Sequence, residues 1–285
     1  MNVSKVGVIG CGLMGSGIAQ VCAQKGYKTV VREVNDEFLK KGLGRIQGFL
    51  AEGVQRGKVK QEDMDATLKN ISGTTSFNDL RDCDIVIEAV IENLDEKKKV
   101  FGELDRACKK ETILASNTSS ISLTAISTAT NRRDQVVGLH FMNPVPIMKL
   151  VEIVRPEVTS DTTYATARAF AESLGKVTVT AKDTPGFIIN LLLVPYICEA
   201  LRALERGLAT KEDIDTGMKL GCGMPMGPIE LLDFVGLDTT LYIMDVLYEN
   251  FRDPRYAAPI LLRQMVMLGY TGKKAGRGFY DYSKR

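Results

Sequence analysis

One histidine occurs in the whole 285-residue chain, His140, and twelve residues later comes Glu152. An imidazole titrates near ~6.5, so it can both take and return a proton at neutral pH. A carboxylate on one ring nitrogen fixes the tautomer and leaves the other nitrogen for general acid–base work. The same two residues could equally form an ordinary buried pair, so the pairing has to be supported by what surrounds it. Near the N-terminus stands Gly10-Cys11-Gly12-Leu13-Met14-Gly15. Glycines at this spacing suit a tight turn, close approach of a pyrophosphate, and close packing of a helix on a strand. Leu13 and Met14 would open that helix, whose free N–H groups attract phosphate. Glu33 follows Gly15 by eighteen residues. A carboxylate there can accept from both ribose hydroxyls and repels a 2′-phosphate, which favours NAD over NADP; adjacent Arg32 is the one residue that argues the other way.

Two further clusters carry polar groups. Glu88-Ala89-Val90-Ile91-Glu92 ends a predicted strand, where ligands of doubly wound sheets bind. Backbone groups at Ala89 would lie near a nicotinamide ribose, and Glu92 could bond that ribose or support a nearby residue. Ser116-Asn117-Thr118-Ser119-Ser120 ends the next strand. Its hydroxyls suit ligand oxygens, but any of them could instead cap the following helix. Residue types alone do not choose among them. Asn190, further on, has an amide able to hold a substrate oxygen.

Periodicity indicates the elements that must position these groups. Residues 5–9 and 29–32 read as strands flanking a helical stretch around 18–23, a βαβ unit. Polar helical stretches follow at 35–56 and 61–69. Strands at 71–75, 84–89 and 112–115 then alternate with helices at 95–109 and 122–128. Such alternation predicts an α/β domain with a parallel sheet covered on both faces. Strands at 135–141 and 149–155, joined by Met142-Asn143-Pro144-Val145-Pro146, make a plausible hairpin carrying His140 and Glu152. A helix at 161–174 and a strand at 177–180 complete a first domain, residues 1–184. Residues 185–285 then read as an all-α domain. Its helices are expected at 187–206, kinked at Pro195, from a capped start at Thr210, from Pro228 through about 249, and at 257–268.

Composition narrows the function classes. Hydrophobic residues make up 45% and charged residues 25%, as in ordinary globular domains. Lys+Arg 37 against Asp+Glu 35 leaves +2, so no global basic field supports nucleic-acid binding. Lacking an apolar run of membrane length and an uninterrupted signal-peptide core, the chain is expected to remain cytoplasmic. The six cysteines form no CxxC pair, and the lone histidine excludes a multi-histidine metal site. Reduced, mostly buried thiols are expected.

The segments GCGLMGSGIA, IEAVIENL, LASNTSSIS, GLHFMNPVPIMKLVEIV, DTPGFIIN, EDIDTGMKLGCGMPMGPIELLDFVGLD and GRGFYDY together resemble the L-3-hydroxyacyl-CoA dehydrogenase family. The likeness runs from about residue 4 to 283 and is greatest to its bacterial 3-hydroxybutyryl-CoA members. It implies a Rossmann-type NAD-binding domain followed by a helical domain that mediates homodimerisation. By resemblance, His140 is the catalytic base, Glu152 orients it, and Ser119 and Asn190 meet the substrate. Gly10, Gly12, Leu13, Met14, Gly15, Glu33, Ala89, Glu92 and Asn117 fall on the cofactor side. The implied reaction is reversible oxidation of a (S)-3-hydroxyacyl-CoA to its 3-ketoacyl-CoA, in fatty acid or butyrate metabolism, with no metal. The acyl-CoA phosphates need cations, for which Arg56 and Lys58 are the first candidates and Lys273 and Lys274 weaker ones. Two residues depart from the family pattern: Glu33 stands for its usual Asp, and Leu191 for its usual Arg. A sugar-acid dehydrogenase of the same architecture and a non-enzymatic NAD(H) binder are the alternatives.

Overall fold

The computed structural model describes residues 3–283. The chain divides into two compact units, Met1–Thr184 and Pro185–Arg285. The first is built on one eight-stranded sheet: β1 (Lys5–Ile9), β2 (Lys28–Arg32), β3 (Ile71–Thr74), β4 (Ile85–Glu88), β5 (Ile113–Ser116), β6 (Val136–Phe141), β7 (Leu150–Arg155) and β8 (Val177–Lys182). Their spatial order is β3-β2-β1-β4-β5-β6-β7-β8. Every neighbouring pair is parallel except β6 and β7. The central strands are apolar in continuous runs rather than alternating, as burial on both faces requires. Order reverses about β1, which puts the C-terminal ends of β1, β4 and β5 at the switch point where such sheets bind ligands.

Helices α1 (Leu13–Gln24), α2 (Asp36–Gln55), α3 (Gln61–Lys69), α4 (Leu94–Ala107), α5 (Leu123–Ser127) and α6 (Asp161–Ser173) connect the strands. Most begin on a side chain that accepts an otherwise unpaired amide: Asn35 from Phe38, Asn93 from Glu96, Ser122 from Ala125 and Ser160 from Thr163. Helix α1 differs, since Gly12 precedes it and supplies no side-chain cap.

The second unit holds α7 (Ile189–Glu205), α8 (Lys211–Cys222), α9 (Pro228–Val235), α10 (Leu237–Phe251) and α11 (Ile260–Met267). Thr210 caps α8 through the Asp213 amide, and Pro228 takes the first position of α9. Helix α7 runs across Pro195. The single helix expected from Pro228 to about 249 is in fact two. Gly236 adopts φ +106, outside helical space, and the Leu237 amide is taken by the Thr271 carbonyl. The apolar pattern continues through Val235-Gly236-Leu237, which is why spacing alone hides the break. This unit has its own core, centred on Ile197, Leu201, Leu232 and Leu247. The six cysteines are unbonded, and only Cys222 is exposed. Among the described residues no helix is long and apolar enough to cross a membrane, and no group of acidic, His or Cys side chains could hold a metal ion.

Candidate active site

Strand β1 runs straight into the glycine turn. Gly10 has φ +86 and donates its amide to the Arg32 carbonyl at 2.9 Å. A Cβ on Gly15 would lie 1.8 Å from the Gly10 carbonyl oxygen, so only glycine lets α1 sit this close to the turn. A Cβ on Gly12 would meet nothing within 4 Å, so the turn is open on that side. Leu13 is 62% exposed. The result is an uncapped helix start that backbone amides can offer to a phosphate. Glu33 is held at the flank of the same turn: one carboxylate oxygen accepts the Cys11 amide at 2.6 Å and the other the Val34 amide at 3.0 Å. Arg32 points elsewhere. Its guanidinium stacks over the Phe77 ring at 4.0 Å and its Nε donates to the Thr75 carbonyl. Burial pushes the Cys11 thiol up to about 12, with the Glu33 charge adding to the rise, so this loop cysteine stays protonated at neutral pH. These residues fit a dinucleotide: a turn left open at Gly12, an uncapped helix start, and a carboxylate fixed one loop away.

The antiparallel pair β6–β7 sets His140 directly opposite Glu152. Cross-strand neighbours on one face lie within side-chain reach. Nδ1 of His140 and Oε2 of Glu152 are 2.6 Å apart, with Glu152 fully buried and His140 only 7% exposed. In the tautomer with its proton on Nδ1, the ring donates to the Glu152 carboxylate. The hairpin expected from the proline loop is the device that makes this pair.

The polar loop after β5 packs between these two features. Ser116, Asn117, Thr118 and Ser120 are buried; only Ser119 is half-buried. The Asn117 side-chain oxygen accepts the Phe141 amide at 2.9 Å, tying this loop to the residue after His140. Glu92 organises the rest: its Oε1 accepts from the Thr118 hydroxyl and from the Ser119 amide at 2.9 Å. The capping role left open for these hydroxyls belongs instead to Ser122, outside the cluster. Ala89 sits at the end of β4, donating its amide to the Ile9 carbonyl at 2.8 Å.

Other expected residues lie elsewhere. Asn190 is in the second unit, on the first turn of α7. Arg56 caps α2 and pairs with Glu52, and Lys58 is exposed in the turn leading to α3. Lys274 is engaged by Asp238, and Lys273 stands over the Phe234 ring. An open cavity of about 590 Å³ is lined by Lys28, Lys69, Asn70 and Arg81. It borders the starts of β1–β3, the opposite strand ends from the glycine turn, and contains none of the expected residues. Sequence reading missed Lys97, the buried cation between Glu88 and Glu92. The signal was faint: Lys97 opens the inward stripe continued by Val100, Phe101 and Leu104.

A doubly wound sheet with this turn, this flanking acid and this histidine–glutamate pair defines a Rossmann-type, dinucleotide-binding oxidoreductase. Residues 5–184 match the model of the 3-hydroxyacyl-CoA dehydrogenase NAD binding domain, and residues 186–282 that of the 3-hydroxyacyl-CoA dehydrogenase C-terminal domain. The chain belongs to the 3-hydroxyacyl-CoA dehydrogenase family. It is 45% identical over 285 residues to the probable 3-hydroxybutyryl-CoA dehydrogenase of Bacillus subtilis, covering 100% of this chain and 99% of the relative. The mitochondrial hydroxyacyl-coenzyme A dehydrogenase of Homo sapiens is 46% identical over 287 residues, covering 98% and 91%. Among solved structures, FadB2 of M. tuberculosis superposes with a TM-score of 0.97 at 45% identity, covering 99% of this chain and 100% of that one. The (S)-3-hydroxybutyryl-CoA dehydrogenase PaaH1 of Ralstonia eutropha gives 0.94 at 46% identity, with the same coverage.

Proposed function

We propose that this chain catalyses the reversible, NAD(H)-dependent oxidation of (S)-3-hydroxyacyl-CoA to 3-ketoacyl-CoA, with 3-hydroxybutyryl-CoA and acetoacetyl-CoA as its substrate pair. The observation that carries this reading is the 2.6 Å contact between His140 Nδ1 and Glu152 Oε2. The names of relatives aligned over 99% and 96% of their length support the choice of substrate. When bound, the nicotinamide supplies hydride transfer to and from C3 of the substrate. Nε2 of His140 takes the proton of the 3-hydroxyl on oxidation and returns it to the carbonyl oxygen on reduction. Glu152 keeps the ring oriented and stabilises its charged form. Ser119 and Asn190 hydrogen-bond substrate oxygens. Glu33 accepts from ribose hydroxyls and disfavours a 2′-phosphate, while Arg32, held on Phe77, is turned to another use. Gly10, Gly12, Gly15 and the amides of Leu13 and Met14 take the pyrophosphate; Ala89, Glu92 and Asn117 border the nicotinamide ribose. Arg56 and Lys58 face the CoA phosphates. We place the enzyme in the cytoplasm as a homodimer, in fatty acid or butyrate metabolism.

The test is consumption of reduced nicotinamide with acetoacetyl-CoA, with NADH and NADPH in parallel. Turnover with NADH and at least tenfold less with NADPH is the expected result. Absence of turnover on acetoacetyl-CoA ends the substrate assignment, and a preference for NADPH ends the cofactor assignment.

A further inference from the structure

Helix α2 lies against the glycine turn at one residue. A Cβ on Gly42 would collide with the Cys11 side chain and carbonyl oxygen, so the helix passes the turn at a distance only glycine permits. The stripe Leu39, Gly42, Ile46 and Leu50 is buried and anchors this contact. Arg45 follows Gly42 by three residues, on the neighbouring part of the same helix face, and is exposed. An exposed arginine ordinarily extends into solvent or pairs with an acid one turn away, as Arg56 does with Glu52. Arg45 does neither. It reaches the glycine turn, where Nη1 donates to the Cys11 carbonyl at 3.0 Å. That is the one side-chain bond it makes among the described residues, and no carboxylate there pairs with it. A guanidinium carries several N–H donors in a rigid fork, so most of its donors stay uncommitted.

Opposite charges thus hold Cys11 by its two backbone groups. Its amide donates to Glu33 Oε1 at 2.6 Å, and its carbonyl accepts from Arg45. Both charges are felt at the Cys11 thiol, where Glu33 adds to the rise that burial causes and Arg45 opposes it. Glu33 spends its two oxygens on the Cys11 and Val34 amides, whereas Arg45 has no second partner. The next residue is Gly12, where the turn is open and α1 starts without a side-chain cap.

We propose that Arg45 is a further cofactor-binding residue: anchored on Cys11, its guanidinium adds a full positive charge beside the uncapped start of α1 and binds the pyrophosphate of the dinucleotide. This rests on the NAD(H) reading given above. The helix start alone offers fractional charge and backbone donors. A guanidinium adds charge-assisted bonds to phosphate oxygens, in a geometry that matches them. Its anchor places the side chain before the ligand arrives, which lowers the cost of ordering it on binding. The two charges on Cys11 also divide the ligand between them. Glu33 suits the neutral ribose diol, and Arg45 suits the charged phosphates.

The experiment uses the full chain and two variants, Arg45→Gln and Arg45→Lys. Glutamine keeps N–H donors and loses the charge; lysine keeps the charge and loses the fork. Isothermal titration calorimetry measures the binding of NADH, ADP, adenosine and CoA to each protein. In Arg45→Gln, NADH and ADP should both bind about five- to thirtyfold more weakly, as for the loss of one charge-assisted contact. Adenosine, which lacks the phosphates, should change by less than about twofold. Arg45→Lys should recover part of the loss. Added salt should weaken NADH binding more in wild type than in Arg45→Gln, because the variant has lost the charge that salt screens. Unchanged ADP affinity in Arg45→Gln overturns the proposal. An equal loss for adenosine overturns it too, since Arg45 would then only brace the turn. A loss confined to CoA assigns the guanidinium to the substrate and overturns it as well. Wild-type protein inactive on acetoacetyl-CoA would end the substrate reading instead, and the NADH and ADP titrations would still judge Arg45.

Discussion

Both units bury carboxylates, and they use them differently. In the first, Glu152 is fully buried against an imidazole ring. In the second, Asp233 and Asp215 are just as buried and face fixed donors. Asp233 accepts the Phe279 and Tyr280 amides, both at 2.8 Å, and the Tyr282 hydroxyl. Asp215 accepts the Ile229 and Glu230 amides at the start of α9 and the Tyr280 hydroxyl at 2.7 Å. Both aspartates therefore pin the C-terminal tail to α8 and α9. Burial pushes the Tyr280 phenol up, and the Asp215 carboxylate beside it adds to that shift. Burial of an acid is thus no mark of catalysis by itself. What separates the two cases is whether the partner can change its proton count.

That contrast is easiest to break at His140. His140→Ala should reduce turnover about 10²–10⁴-fold with a near-native melting temperature, read from steady-state kinetics and calorimetry. Near wild-type turnover in this variant would end the proton-transfer assignment. Glu152→Gln, which removes the negative charge while keeping the shape, should lower kcat about a hundredfold and leave NADH affinity nearly unchanged, as measured by fluorescence titration. Asp215→Ala should do the reverse. Losing three accepted hydrogen bonds should cost about 1–3 kcal/mol in denaturant unfolding, with kcat on acetoacetyl-CoA unchanged.

The smallest effect concerns pH. Asp84 is held down to about 2: burial opposes this, but the Lys109 ammonium and the Lys5 and Ser4 amides outweigh it. Its contribution is present above the ordinary aspartate value of 3.8 and disappears as pH falls through about 2. Asp233 runs the other way, because burial raises its value despite the amides it accepts. Its contribution is present below the ordinary value and disappears as pH rises through the raised one. Acid titrations of stability should therefore steepen less in Asp84→Asn than in wild type, while Asp233→Asn loses the opposite slope. Equal slopes in all three proteins would sink this pairing of signs.

Much of the site was legible because the signals are local. The glycine turn and Glu33 are one βαβ unit, and chain connectivity alone brings the end of β2 beside the turn after β1. The His140–Glu152 pair was partly legible because a proline loop between two apolar runs makes a hairpin plausible, while the register that sets the two residues opposite each other came only from the structure. Lys97 was not legible. It sits in the run Glu96-Lys97-Lys98-Lys99, where composition suggests a solvated face, and only packing shows which of the lysines turns inward. The break at Gly236 was missed for a related reason, since a glycine inside an apolar pattern reads the same whether the helix tolerates it or ends there.

The sequence by itself determined the alternation of strands and helices, the glycine turn after β1, and the identity of the one imidazole in the chain. These follow from spacing along the chain, and neighbours in sequence have little freedom to separate. Tertiary structure alone decided which hydroxyl of the 116–120 loop stays accessible, where Arg32 points, and which lysine joins Glu88 to Glu92. Those outcomes depend on contacts between residues far apart in the chain, where the cost of burying a charge or a polar group is settled by partners that no local pattern names.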